Sequence, residues 1–128
     1  MSRAFVVSLV LALGLLSAVP AHSHHSNVAY EVTKVVTISG AVKEFQWVNP
    51  HTWLHLTVDD GKGGKVEWAV EGRAPGVLLR AGWTRHSLQA GEIVTVDMSP
   101  AKDGSHTGII ARVTKADGTI LSNAPAPQ

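Results

Sequence analysis

The run KVVTISGAVKEFQWVNPHTWLHLTVDDGKGGKVEWAVEGRAPGVLLRAG, residues 34–82, decides the fold. Its first part, Lys34 to Val48, is β-branched and aromatic. Val36, Ile38 and Val42 share one parity and Phe45 and Trp47 the other, so the reading is a long strand bent or bulged near Gly40 or just beyond it. Asn49-Pro50 stops it, because proline lacks the ladder donor and restricts the residue before it. A second strand then alternates cleanly, with Thr52, Leu54, Leu56 and Val58 on one face and His51, Trp53, His55 and Thr57 on the other. Asp59-Asp60-Gly61-Lys62-Gly63-Gly64 supplies the reversal, and Val66, Trp68 and Val70 alternate with Glu67, Ala69 and Glu71 on a third strand. From Pro75 to Ala81 the period turns helical, with Val77, Leu78 and Ala81 on one side and Gly82 as the stop.

Outward from this run, a fourth strand is read at Ile93 to Met98, a polar loop at Ser99 to Thr107, and a fifth strand at Ile109 to Thr114. A short return follows at Ile120-Leu121, and an Ala/Pro tail over residues 123–128 reads as flexible. Three strands, one short helix and two more strands, with a long bent first strand, is the order of an OB-fold. The fold expected is therefore all-β: a small five-stranded barrel with one helix between strands 3 and 4, over residues 24–122.

Upstream, Ala4 to Val19 is a nearly unbroken apolar run of sixteen residues behind Arg3, followed by small residues. That is short of the roughly twenty needed to span hydrocarbon and matches a secretory signal peptide over residues 1–23. Cleavage is expected after Ala21 or Ser23, giving a periplasmic or secreted protein with no membrane span. Of the whole 128 residues, 45% are hydrophobic, and the formal charge is +1; loss of Arg3 leaves ten basic against ten acidic residues, so the mature chain is neutral. Neutrality argues against a nucleic-acid partner. The absence of cysteine excludes disulfides, thiolate metal sites and cysteine nucleophiles. Met98 as the sole mature methionine excludes a thioether-rich copper(I) site.

At Trp47-Val48-Asn49-Pro50-His51, Trp68-Ala69-Val70-Glu71-Gly72, Ala81-Gly82-Trp83 and Pro100-Ala101-Lys102-Asp103-Gly104, the chain resembles a family of small secreted bacterial proteins of unknown function. His24-His25-Ser26 matches that family's opening motif. Asn27 departs from it, standing where an aromatic is expected, and His55 lies outside the motifs. The resemblance implies a secreted β-rich domain and carries no activity with it.

Histidine chemistry remains. Cleavage after Ser23 frees an amine on His24 that chelates copper(II) together with its own imidazole, with His25 adjacent; cleavage after Ala21 gives His22-Ser23-His24, whose third-position imidazole suits copper(II) or nickel(II). His51 and His55 lie on one strand about 13 Å apart, at roughly 3.3 Å per residue, too far to share one ion. The metal candidates are His24, His25, His51 and His106, with His55 and Glu71 as further donors, and the ligand copper(II) or another divalent ion. In an OB-fold the loop holding Asn49 and His51 and the loop holding His106 flank the ligand face, which Trp47 and Trp53 would complete. Glu67 and Glu71 read as a solvated strand face, Trp68 as core and Trp83 as a cap on the barrel. No serine has a nucleophile-elbow context, so no catalytic residue is assigned. The reading is a non-enzymatic binding module; its alternative is an accessory domain docking on an envelope protein through a tryptophan patch.

Overall fold

The computed structural model describes residues 26–124. A single helical turn, α1 (Ser26–Ala29), leads into β1 (Val36–Gln46), β2 (Trp53–Asp59), β3 (Lys65–Glu71), α2 (Pro75–Arg80), β4 (Ile93–Pro100), β5 (Thr107–Lys115) and β6 (Ile120–Ser122). The strands lie in the order β3-β2-β1-β4-β5-β6, and β3 also pairs with β5. That last pairing, parallel over Ala69–Glu71 and Thr107–Ile109, closes the first five strands into a barrel of OB order.

β1 is long because it serves two neighbours. Its first half pairs with β4 and its second with β2, and Gly40 belongs to both ladders, opposite Val58 and Val94. A Cβ on Gly40 would sit 2.5 Å from the Thr57 carbonyl oxygen, so the strand can bend against β2 only without a side chain there. The register slips between Val42 and Glu44, leaving Lys43 as the bulge that the change of parity required.

The interior is filled by the inward residues of each strand. Leu54, Leu56, Val70, Val96, Met98 and Val113 are fully enclosed, together with Leu78 of α2 and Trp83 just beyond it. Gly82, at φ 90°, ends α2 and turns the chain so that Trp83 enters the core. Its indole N–H donates to the Ser122 carbonyl at 2.7 Å, which satisfies the one polar atom of that ring and ties β6 to the barrel.

Two expected boundaries move. β4 continues through Ser99 and Pro100 and β5 begins at Thr107, because these ends pair with each other: Met98 with Ile110, Ser99 with Ile109 and Pro100 with Gly108. Asn123, expected in the flexible tail, is 7% exposed, and its side-chain oxygen accepts the Arg73 amide at 3.1 Å. The barrel domain therefore extends through Asn123. The signal peptide expected over residues 1–23, and His24 and His25 after it, lie outside the described residues. No helix among the described residues is long and apolar enough to cross a membrane.

Candidate functional site

The outer face of the β2–β3 hairpin carries two histidines four positions apart and two glutamates four positions apart, and the register makes them partners. Trp53 stands opposite Glu71 and Thr57 opposite Glu67. Each histidine lies two residues before its acid's partner, so both pairs form on the same diagonal. His51 Nδ1 lies 3.1 Å from Glu71 Oε1, and His55 Nδ1 lies 3.6 Å from Glu67 Oε1. One ion cannot serve both histidines, as the strand spacing requires.

Their surroundings separate the two pairs. Glu67 is half exposed, and Lys43 of the bulge donates to its other oxygen at 2.6 Å. Lys43 holds the Glu67 carboxyl below the usual carboxylate range, and Glu67 in turn raises the Lys43 ammonium. This pair is a surface ion pair with its charges already balanced. The Glu71 side chain is only 9% exposed, a correction to the solvated face expected of it. Tyr30 covers it, its hydroxyl donating to Glu71 Oε2 at 3.3 Å. Among the described residues no lysine or arginine pairs with this carboxylate.

The backbone explains how His51 reaches Glu71. Thr52, fully buried, donates its amide and its hydroxyl to the Arg73 carbonyl at 3.2 and 2.9 Å, and its own carbonyl accepts the Gly72 amide at 2.8 Å. These bonds pin the entry of β2 to the exit of β3. Tyr30 is held from the other side. It bridges to Ala101, while the Glu31 amide donates to the Pro100 carbonyl and the Lys102 amide to the Ala29 carbonyl, each at 2.9 Å. The segment before β1 is thus strapped onto the β4–β5 loop. Beside the His51–Glu71 pair opens a cleft of about 450 Å³, lined by Arg73, Ile109, Ala111 and Asn123 as well.

The Nδ1 edge of the His51 imidazole faces the carboxylate, and the side chain remains 42% exposed. A carboxylate beside one imidazole nitrogen is also found at metal-ligating histidines, where it orients the ring.

The remaining candidates disperse. His106 rests on Trp68, ring centroids 4.9 Å apart, over a second hollow walled by Ile38, Val58 and Val66. Trp68 is packed against the core but only half-buried. Trp47 packs inward, 5.8 Å from Phe45, which itself meets Trp83 at 5.8 Å, while Trp53 occupies the outer face with Glu71. The expected partnership of Trp47 with Trp53 on one surface does not form, because Trp47 continues the inward parity of Phe45. Asn49 is exposed in the cis Asn49-Pro50 turn. Among the described residues no three of the His, Asp and Glu side chains gather closely enough to hold one ion. Tyr30 is absent from the expected site, and the sequence offered one signal for it: it is the only tyrosine of the chain.

Residues 13–112 match a family of unknown function. The chain belongs to that family, DUF6152. The matched region spans β1 to β4 and most of β5, and it includes Tyr30, His51, Glu71, Arg73 and His106. No curated protein matches the chain.

Proposed function

We propose that the protein is an exported, non-enzymatic binding domain whose ligand is a divalent metal ion, copper(II) first, taken by His51 through Nε2. The observation that carries this reading is the buried Glu71 carboxylate, whose side-chain polar partners among the described residues are the Tyr30 hydroxyl and the His51 imidazole. A buried carboxylate without a full counter-charge raises the value of a cation placed near it. The donor set also suits the ion, since an imidazole with a terminal amine and a second imidazole makes a tetragonal nitrogen site for copper(II). His24 and His25 supply those donors once the apolar leader is removed. His106, stacked on Trp68, and His55, paired with Glu67, are left out of this site. Docking on an envelope protein draws less support, because Trp47 is turned inward and Trp53 lacks its companion.

The test is a chain beginning at His24 with an authentic amine. Competition titration is expected to give copper(II) affinity of micromolar or tighter, with nitrogen hyperfine structure in the EPR spectrum. His51→Ala is expected to weaken binding by about 10- to 100-fold or more, and His55→Ala to leave it unchanged. Absence of binding, or binding indifferent to His51→Ala, overturns the proposal.

A further inference from the structure

Val66, Trp68 and Val70 alternate inward along β3, yet only Val70 is enclosed. The seam explains the difference. β5 joins β3 from Ala69 onward, so among the described residues the first half of β3, Lys65 to Trp68, pairs with β2 alone and has no strand on its other side. The barrel wall is open beside Val66 and Trp68. A hollow of about 500 Å³ lies there, walled by Ile38, Val58, Val66 and Trp68, all half-buried. That volume falls in the range of small-ligand sites, about 300–1,000 Å³, which occur in the mouths of β-barrels and combine apolar walls with a few polar groups. Its aromatic wall already holds a flat ring: the imidazole of the exposed His106 sits 4.9 Å from Trp68 between centroids, tilted by 35°.

The rim decides the charge of the ligand. Asp59 is paired with Lys65 at 3.3 Å, and one oxygen of Asp60 accepts the amides of Lys62 and Gly64 at 2.7 and 2.9 Å. Both acids are committed to the β2–β3 turn. Lys62 lines the same hollow, is exposed, and forms no ion pair among the described residues. We propose that this hollow is a second binding site and that its ligand is a small aromatic acid, with a flat apolar ring against Trp68 and a carboxylate turned to Lys62. Burial of the ring supplies the attraction, and the lysine selects the anion over the neutral molecule. The hollow shares no lining residue with the cleft beside His51, so this site stands whether or not His51 holds an ion.

The experiment titrates cinnamate and its neutral counterpart, cinnamyl alcohol, into the metal-free chain beginning at His24, followed by two-dimensional amide NMR. Cinnamate is expected to saturate a single site with a dissociation constant on the order of 1 mM or tighter, as befits roughly a dozen ligand atoms. Shifts should concentrate on the amides of Val58, Val66 and His106 and on the Trp68 indole N–H, leaving Ile109 and Ala111 of the other cleft unmoved. Lys62→Gln is expected to weaken cinnamate by about three- to fivefold, the scale of an exposed ion pair, and to leave cinnamyl alcohol unchanged. Trp68→Leu is expected to weaken both by about tenfold; the shift map and the Lys62 contrast do not depend on whether that variant folds. Absence of saturable binding, shifts centred on Ile109 and Ala111, a Lys62→Gln variant that treats the two ligands alike, or a folded Trp68→Leu with full affinity overturns the proposal.

Discussion

Glu67 and Glu71 are the same residue on one strand face, each with a histidine on the same diagonal, and what covers them makes them different. Glu67 meets a lysine in open solvent, where water screens the pair and it adds little to stability. Glu71 meets a buried phenol. Burial, and then the charge of Glu71, push the Tyr30 hydroxyl above its ordinary value near 10. Folding thus favours the protonated phenol: this contribution to stability is complete below about pH 10 and is lost as pH rises through the raised value. With one tyrosine in the chain, tyrosinate absorbance reports this group alone. The metal-free protein is expected to ionise Tyr30 above pH 10, and Glu71→Gln to bring the midpoint back toward 10; a wild-type midpoint at or below that of the free side chain contradicts the buried contact. The sequence showed His51 and Glu71 as outward residues of neighbouring strands, since alternation alone gives that. It did not show their pairing, which needs the register, nor the burial of Glu71, which needs a segment twenty residues before His51 to cross the sheet. Tyr30 stands outside every periodic run, and periodicity cannot place such a residue.

At the scale of elements, β1 carries the fold because it belongs to both halves of the barrel, and Gly40 is where it turns from one to the other. A methyl group on Gly40 meets the Thr57 carbonyl oxygen at 2.5 Å and Val58 Cγ2 at 2.9 Å. The first of these is backbone inside a ladder and cannot rotate away. Gly40→Ala is expected to destabilise the protein by about 1–3 kcal/mol, the usual range for overpacking, measured by urea unfolding with an unchanged m-value. Ser39→Ala next to it, on an exposed position, serves as the control and should move stability far less. Most of this element was legible in the sequence: the parity change before Phe45 is the bulge at Lys43, the alternation from Thr52 to Val70 is the hairpin, and Pro75 and Gly82 bracket α2. The strand ends were less legible, and for one physical reason. Pro100 reads as a breaker because it lacks an N–H, yet at the end of β4 only its carbonyl is needed, and that accepts from Glu31. Asn123 likewise follows the last apolar pair and looks like tail, but its amide oxygen satisfies Arg73 across the barrel.

For the molecule as a whole, the decisive feature is that the barrel closes through its shortest ladder. β2 pairs with β3, and β4 with β5, over seven residue pairs each, whereas the β3–β5 seam has three, in the parallel arrangement that is slightly weaker per residue. The seam is supported from outside by the bond of the Ala69 amide to the His106 carbonyl and by the Tyr30 strap over Glu71. Local opening follows the elements with fewest buried contacts and bonds, so the seam is expected to open well before the β1–β2 and β1–β4 ladders. Native-state hydrogen exchange of the metal-free chain should give the Ala69 amide lower protection than Leu54, Leu56 and Val96, which lie fully buried on strands paired on both sides. A ligand that binds only the closed barrel adds its binding free energy to that of opening. Copper(II) held by His51 and the terminal segment should therefore raise protection at Ala69 by more than at Leu56, and His51→Ala should abolish the difference. Uniform protection along all ladders without metal would show that the barrel opens as one unit, and a copper effect spread evenly over the strands would place the ion away from the seam.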